Sequence, residues 1–291
     1  MPGKLTRSAI AAQPAWLAQV ADRVGVDRLP AGARVLFTGC GTSYHAALAS
    51  GAAAQALELV LGNAPAADVL VAMSHEGETR LTLEAVEAFA GETWLVTGAA
   101  DSPLASAVDR VVVATPELEQ SYCHTASYTC AVAAGRALQG EDVSGLAAAV
   151  ERELAADPLG PSEHERFLVA GAGTDFATAL EAVLKLREGA HVAAEAHHTE
   201  QLLHGHLAAI DSSVRCFVLE GEGRAAERAA GALRALAEIG AEATLVPTTH
   251  PVVDVVRFQR LTCDLAESRG LDPDLIRRDE EPWDRAREAY D

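Results

Sequence analysis

The feature that most restricts what this chain can fold into is a pattern written twice. V-L-F-T-G-C-G-T-S at 35–43 and F-L-V-A-G-A-G-T-D at 167–175 each place a short apolar run before Gly-x-Gly-Thr and then a helical stretch. Further apolar runs stand at 69–73, 93–97, 110–114, 214–219 and 243–246. Helical spacing fills 124–138, 143–156, 222–239 and 252–268, and an alanine-rich segment after Ser43 reads as one long helix. Unbroken apolar strands alternating with helices predict parallel sheets covered on both faces. The pattern restarts after Asp157-Pro-Leu-Gly-Pro161, so the expected division is an N-terminal helix over 1–25, a domain over 26–157, a second over 158–270 and a charged tail over 271–291. Pro14 is expected to start or kink the first helix.

Charge narrows the partners. Lys and Arg number 23 against 42 Asp and Glu, a net charge of -19. A field of that sign repels nucleic acid and anionic lipid, and any anion site has to be built locally. The five cysteines are widely spread with no C-x-x-C pair, which fits free thiols in a reducing compartment. No apolar run approaches the roughly 18–20 residues of a membrane helix, and the N-terminus lacks a signal-peptide layout. The expectation is a cytoplasmic protein with no nucleic-acid or membrane partner.

Three segments carry candidate chemistry. Gly39-Cys-Gly41-Thr42-Ser43 follows a strand and opens a helix, where free N–H groups and the dipole favour an anion; the alternative is a strand-to-helix turn with its cap. Ser74-His75-Glu76-Gly77-Glu78-Thr79 lies at the end of another strand, and ligands collect in that crevice of an open parallel sheet. The alternative makes Ser74 and Thr79 caps and leaves the acids in water. In the third segment Glu181, Lys185 and Glu188 sit at i, i+4 and i+7 on one helical face, either a reactive constellation or a surface ion-pair ladder. Glu195, Glu200 and five histidines from His191 to His206 follow, without the tight spacing of a metal site. No metal and no cofactor is expected.

Together these residues resemble the tandem sugar-isomerase (SIS) domains that form the isomerase half of glucosamine-6-phosphate synthase, over about 5–270. Gly39 to Ser43 matches the family's first phosphate loop, and Ser74 to Thr79 its second, usually S-Q-S-G-E-T. Ala179 to Glu188 is similar to A-L-E-G-x-L-K-L-K-E, and Gln201 to Asp211 to E-L-x-H-G-P-x-A-L-I-D. The resemblance implies an α/β fold of two SIS domains in tandem and a sugar or sugar-phosphate ligand. Gly41, Thr42, Ser43, Ser74, His75, Glu76, Gly77, Thr79 and Thr125 would bind it. Glu188 would shuttle a proton between sugar C1 and C2, with Lys185 beside it and His204 assisting ring opening from the neighbouring subunit of a homodimer with shared sites.

The departures matter as much. Glu76 stands where the family has serine, and His75 where it has glutamine. A carboxylate facing a phosphate is unfavourable by several kcal/mol unless neutralised; Glu76 turns away, His75 offsets it, or the ligand is no phosphate. Ala126 replaces a family lysine, and the lysine-bearing tail is replaced by Gly270-Leu-Asp-Pro-Asp-Leu-Ile-Arg-Arg278 and onward. The 291 residues hold no glutaminase domain, so glutamine-dependent synthesis is not expected of this chain by itself. Two functions follow: a phosphosugar isomerase, deaminase or deglycase, and a non-catalytic carbohydrate-derivative binding or sensing module.

Overall fold

The computed structural model describes residues 2–289. Met1 of the expected first helix and Tyr290 and Asp291 of the expected tail lie outside the described residues. The chain divides into two compact units. One runs from Lys4 to Glu151 and takes in the segment from Asp274; the other runs from Arg152 to Pro273 and takes in Gly3.

The first unit opens with α1 (Lys4–Leu17) and α2 (Val20–Val24). Pro14 does not start the helix but sits inside it. Proline has no N–H to give the Ile10 carbonyl, and the buried Gln13 side chain donates to that oxygen instead at 3.2 Å. Three residues later the helix ends. The unit continues through β1 (Val35–Thr38), α3 (Thr42–Ser50), α4 (Ala56–Val60), β2 (Val69–Met73), α5 (Arg80–Ala88), β3 (Glu92–Thr97), α6 (Pro103–Ala107), β4 (Arg110–Val113) and α7 (Ala126–Leu138). Helix α8 (Leu146–Ala155) leads into the second unit. The four strands are parallel in the order β1-β2-β3-β4. Leu70, Val71 and Ala72 on β2 are fully buried, as expected for a strand covered on both faces.

The long helix expected after Ser43 is not formed. Helix α3 stops at Gly51, and the chain turns back beside β1, where Phe37 N–H donates to the Ala52 carbonyl at 2.8 Å and Ala54 N–H to Phe37 O at 3.0 Å. A side chain at residue 51 would press on the Phe37 ring at 3.1 Å, a tight fit that disfavours a larger residue where the chain leaves the helix.

The second unit contains β5 (Arg166–Gly171), α9 (Thr174–Ala190), β6 (Ala193–His198), α10 (Thr199–Leu203), a 3-10 turn (His206–Ala209), β7 (Val214–Leu219), α11 (Arg224–Glu238), β8 (Glu242–Val246) and α12 (Pro251–Ser268). Its strands are also parallel, in the order β6-β5-β7-β8. Strand β6 was read in the sequence only as a titratable cluster. It is an edge strand of Ala, Glu and His, without the β-branched residues that mark the central strands.

The C-terminal segment, which includes α13 (Glu281–Glu288), belongs to the first unit. Buried Asp274 accepts from Leu5 N at 3.0 Å, Thr6 N at 2.8 Å and Thr6 Oγ1 at 2.7 Å, satisfying free donors at the start of α1. Among the described residues no helix is long and apolar enough to cross a membrane.

Candidate functional site

In the first unit, two loops leave the C-terminal ends of the adjacent strands β1 and β2. A side chain at Gly39 would lie 2.9 Å from both the Met73 carbonyl oxygen and Ser43 Cβ, so glycine lets the start of α3 close on β2. Gly41 takes the left-handed conformation at φ 55° and caps α3 without a side chain. Thr42 and Ser43, both half-buried, occupy the first turn of that helix.

In the second loop Ser74 is buried, and its hydroxyl lies 3.4 Å from Thr79 Oγ1. Thr79 precedes α5 but makes no capping bond with its side chain, so its hydroxyl faces Ser74 rather than the helix end. Gly77, at φ 70°, is required where any side chain would collide with Ser102. His75, which in one of the three alternatives offsets Glu76, is engaged elsewhere. His75 Nε2 accepts from the backbone N–H of Glu119 at 2.9 Å, which requires a neutral ring protonated at Nδ1. Burial first, and then His124 beside it, lower its pKa to about 4 against the opposing pull of Glu119. The imidazole therefore offers no positive charge to Glu76 at neutral pH. Glu76 itself is exposed and lines a cleft of about 260 Å³ with Glu78, Asp101 and Leu118.

Thr125 is fully buried, and its N–H and hydroxyl both donate to Glu119 Oε1 at 2.8 Å. Ser127 N and Oγ donate to Glu119 Oε2 at 2.8 and 2.7 Å. Glu119 thus serves as the anionic cap of α7, where the free N–H groups and the dipole favour negative charge. Sequence reasoning missed it. The clustered Thr125 and Ser127 donors were visible, but their acceptor lies six residues upstream, outside any capping-box spacing.

In the second unit, helix α9 brings Glu181, Lys185 and Glu188 together. Lys185 is fully buried, with Nζ 2.7 Å from Glu188 Oε2 and 3.4 Å from Glu181 Oε1. Glu181 is fully buried as well, so the surface-ladder alternative does not describe this row. The Glu188 side chain remains 25% exposed, with one carboxylate oxygen held by the ammonium. His204 is placed differently. It is exposed, with Nε2 2.9 Å from Glu200 Oε1, and Arg228 also grips Glu200 at 2.7 Å. Those two bonds, Arg228 first, hold the Glu200 carboxyl below its usual range.

The second Gly-x-Gly-Thr turn carries a feature the sequence analysis passed over. Asp175 stands where the first turn has Ser43, and its Oδ2 accepts from Thr248 Oγ1 at 3.0 Å. Nearby Asp254 accepts from Thr249 N at 3.0 Å and Thr249 Oγ1 at 3.2 Å. Burial pushes both carboxyls up, Asp254 to about 6. Two acids at this turn disfavour an anion there. Among the described residues no group of three or more His, Cys, Asp or Glu side chains is arranged to hold a metal ion.

Comparisons with known proteins agree with this architecture. Residues 162–269 match the SIS domain model. The chain is 30% identical over 315 residues to a glutamine–fructose-6-phosphate aminotransferase (isomerizing) of Aeropyrum pernix, covering 86% of this chain and 51% of that protein. It spans about half the length of the curated relatives it matches first. Among solved structures, the C-terminal domain of the Francisella tularensis glucosamine-fructose-6-phosphate aminotransferase superposes with a TM-score of 0.80 at 18% identity, covering 93% of this chain and 97% of that one. A glucosamine-6-phosphate deaminase from Thermotoga maritima gives 0.76 at 22% identity, covering 94% and 97%. At these identities the structural likeness is one of fold. The chain therefore carries a SIS domain, and relatives it matches by sequence are glutamine–fructose-6-phosphate aminotransferases.

Proposed function

We propose that the chain consists of two SIS domains in tandem, over 26–157 and 158–270, and that it binds a sugar phosphate and moves a proton between two of its carbons. The observation that carries this reading is the buried Lys185 held between Glu181 and Glu188. Burying an ammonium is costly unless it is paired, and its pairing fixes one oxygen of Glu188. A carboxylate held in that way, on a side chain that is partly exposed, suits a base that takes the acidic C–H beside a sugar carbonyl. In the proposed step Glu188 removes that proton and the carbonyl oxygen takes one from water to give an ene-diol; Glu188 then gives its proton to the former carbonyl carbon while the neighbouring hydroxyl returns its own to water and becomes the new carbonyl. Ser43, Ser74 and Thr79 hold the phosphate with the N–H groups that open α3, and Gly41 and Gly77 allow those turns. Thr42 also belongs to this anion site, whereas Thr125 holds Glu119 in place. His204, exposed on its own protomer, assists ring opening in the partner of a homodimer.

A second reading is favoured by Glu76. Its carboxylate lies in the loop proposed to bind phosphate, beside a cleft that also carries Glu78 and Asp101. A non-catalytic module that senses an unphosphorylated or amino-bearing sugar would tolerate that charge better. Thermal stabilisation by millimolar hexose 6-phosphates, amino-sugar 6-phosphates and their unphosphorylated counterparts separates the two, because a ligand bound to the fold raises apparent stability by mass action. The phosphosugar reading predicts shifts with phosphorylated compounds. Shifts confined to unphosphorylated sugars would replace it with the second.

A further inference from the structure

The imidazole of His75 lies inside the loop that carries Ser74 and Thr79, yet its bonds run away from them. Its carbonyl oxygen accepts from Gly98 N at 2.8 Å and Thr97 Oγ1 at 3.1 Å, so the backbone here is tied to the end of β3. Its ring packs so closely on Gly98 that a side chain there would collide with it, and it meets the edge of His124 at 5.2 Å between centroids. Nε2 is taken by the Glu119 N–H. Glu119 is itself immobilised, because its carboxylate receives four donors at 2.7–2.8 Å from Thr125 and Ser127 at the head of α7. A continuous set of contacts thus runs from a thirteen-residue helix through the buried Glu119 to the half-buried residue next to Ser74.

We propose that His75 is a positioning residue: its neutral imidazole tethers the Ser74–Thr79 loop to the Glu119 backbone and makes no contact with the ligand. The tether sets the separation of the Ser74 and Thr79 hydroxyls, which stand 3.4 Å apart. Pre-set hydroxyls spare the ligand the ordering of the loop, and that saving appears as affinity. A glutamine in this position carries Oε1 as many bonds from Cα as Nε2 is in histidine, so it can accept the same N–H; phenylalanine keeps the ring shape and leaves the N–H of Glu119 without its acceptor. This inference rests on the reading that Ser43, Ser74 and Thr79 hold a phosphate.

The test compares His75→Gln and His75→Phe with the wild type. Fructose 6-phosphate affinity is expected to fall about tenfold in His75→Phe and to stay within about threefold of wild type in His75→Gln. Equal weakening in both variants, or none in His75→Phe, would overturn the tether. In the unsubstituted protein, nitrogen-15 NMR of the histidine rings at pH 6 should show His75 neutral with its proton on Nδ1; an imidazolium or the opposite tautomer would overturn it, and this measurement needs no variant to fold. If the wild type binds no fructose 6-phosphate, it is the phosphate reading that fails. Amide exchange over 74–79 then decides the tether alone, being faster in His75→Phe and restored in His75→Gln if the inference holds, and alike in the two if it does not.

Discussion

Replacing Asp254 by asparagine should raise stability most at neutral pH, about half as much at pH 5, and leave it nearly unchanged only below the ordinary aspartate range. The Asp254 carboxyl is buried at the start of α12, and its pKa rises from 3.8 to about 6. Burial is the main cause, and Asp175 adds to it; the bonds from Thr249 and the charge of Arg257 act in the opposite direction. The folded protein therefore holds this proton more tightly than the unfolded chain does. The stabilisation is fully present below the unfolded value and is lost as pH climbs through the folded one. Over the whole range the loss is about 3 kcal/mol, and between pH 5 and pH 7.5 it is roughly 1.4 kcal/mol. Asparagine keeps an oxygen for Thr249 and cannot ionise. Calorimetric melting at pH 5, 6, 7 and 8 should show a wild-type Tm that falls with pH more steeply than that of Asp254→Asn. Parallel profiles for the two proteins would refute the assignment of a held proton to this residue.

Lys185→Met should destabilise the protein by about 3–5 kcal/mol, because it strands Glu181 as a buried charge, and adding Glu181→Gln should recover part of that loss. Denaturant unfolding measures both, and additive effects in the double variant would contradict a coupled pair. If His204 acts on the neighbouring subunit's ligand, mixing inactive His204→Ala and Glu188→Gln protomers should restore some turnover. A verified heterodimer with none would show that sites are not shared.

The central strands were legible because they are both apolar and continuous: the apolar runs at 69–73 and 214–219 are β2 and β7 to the residue. Strand β6 was not, since Ala193 to His198 carries no β-branched residue and earns its place only by pairing with β5. The end of α3 was hidden by good helix formers on both sides; beyond Gly51 the backbone bonds instead to Phe37 of β1, a long-range pairing. The spacing of Glu181, Lys185 and Glu188 put three charges on one face, but the same spacing describes an exposed ladder and a buried one. Burial of Lys185 is a tertiary fact. Glu119 and the bond it gives His75 join segments 44 residues apart, and nothing local in either marks the partner. Asp175 could have been singled out by aligning the two glycine turns, where it replaces Ser43.

Deuterium wash-in tests the proposed proton transfer by Glu188 most directly. The protein is incubated in heavy water with hexose 6-phosphates and amino-sugar 6-phosphates in turn, and proton NMR follows the C1 and C2 positions. Exchange reports proton abstraction even where no net product accumulates. The wild type should incorporate deuterium into at least one of these phosphosugars, and Glu188→Gln should lose that exchange while retaining ligand-induced thermal stabilisation. Incorporation that persists in Glu188→Gln, or stabilisation by a phosphosugar with no exchange in the wild type, would contradict that proton transfer.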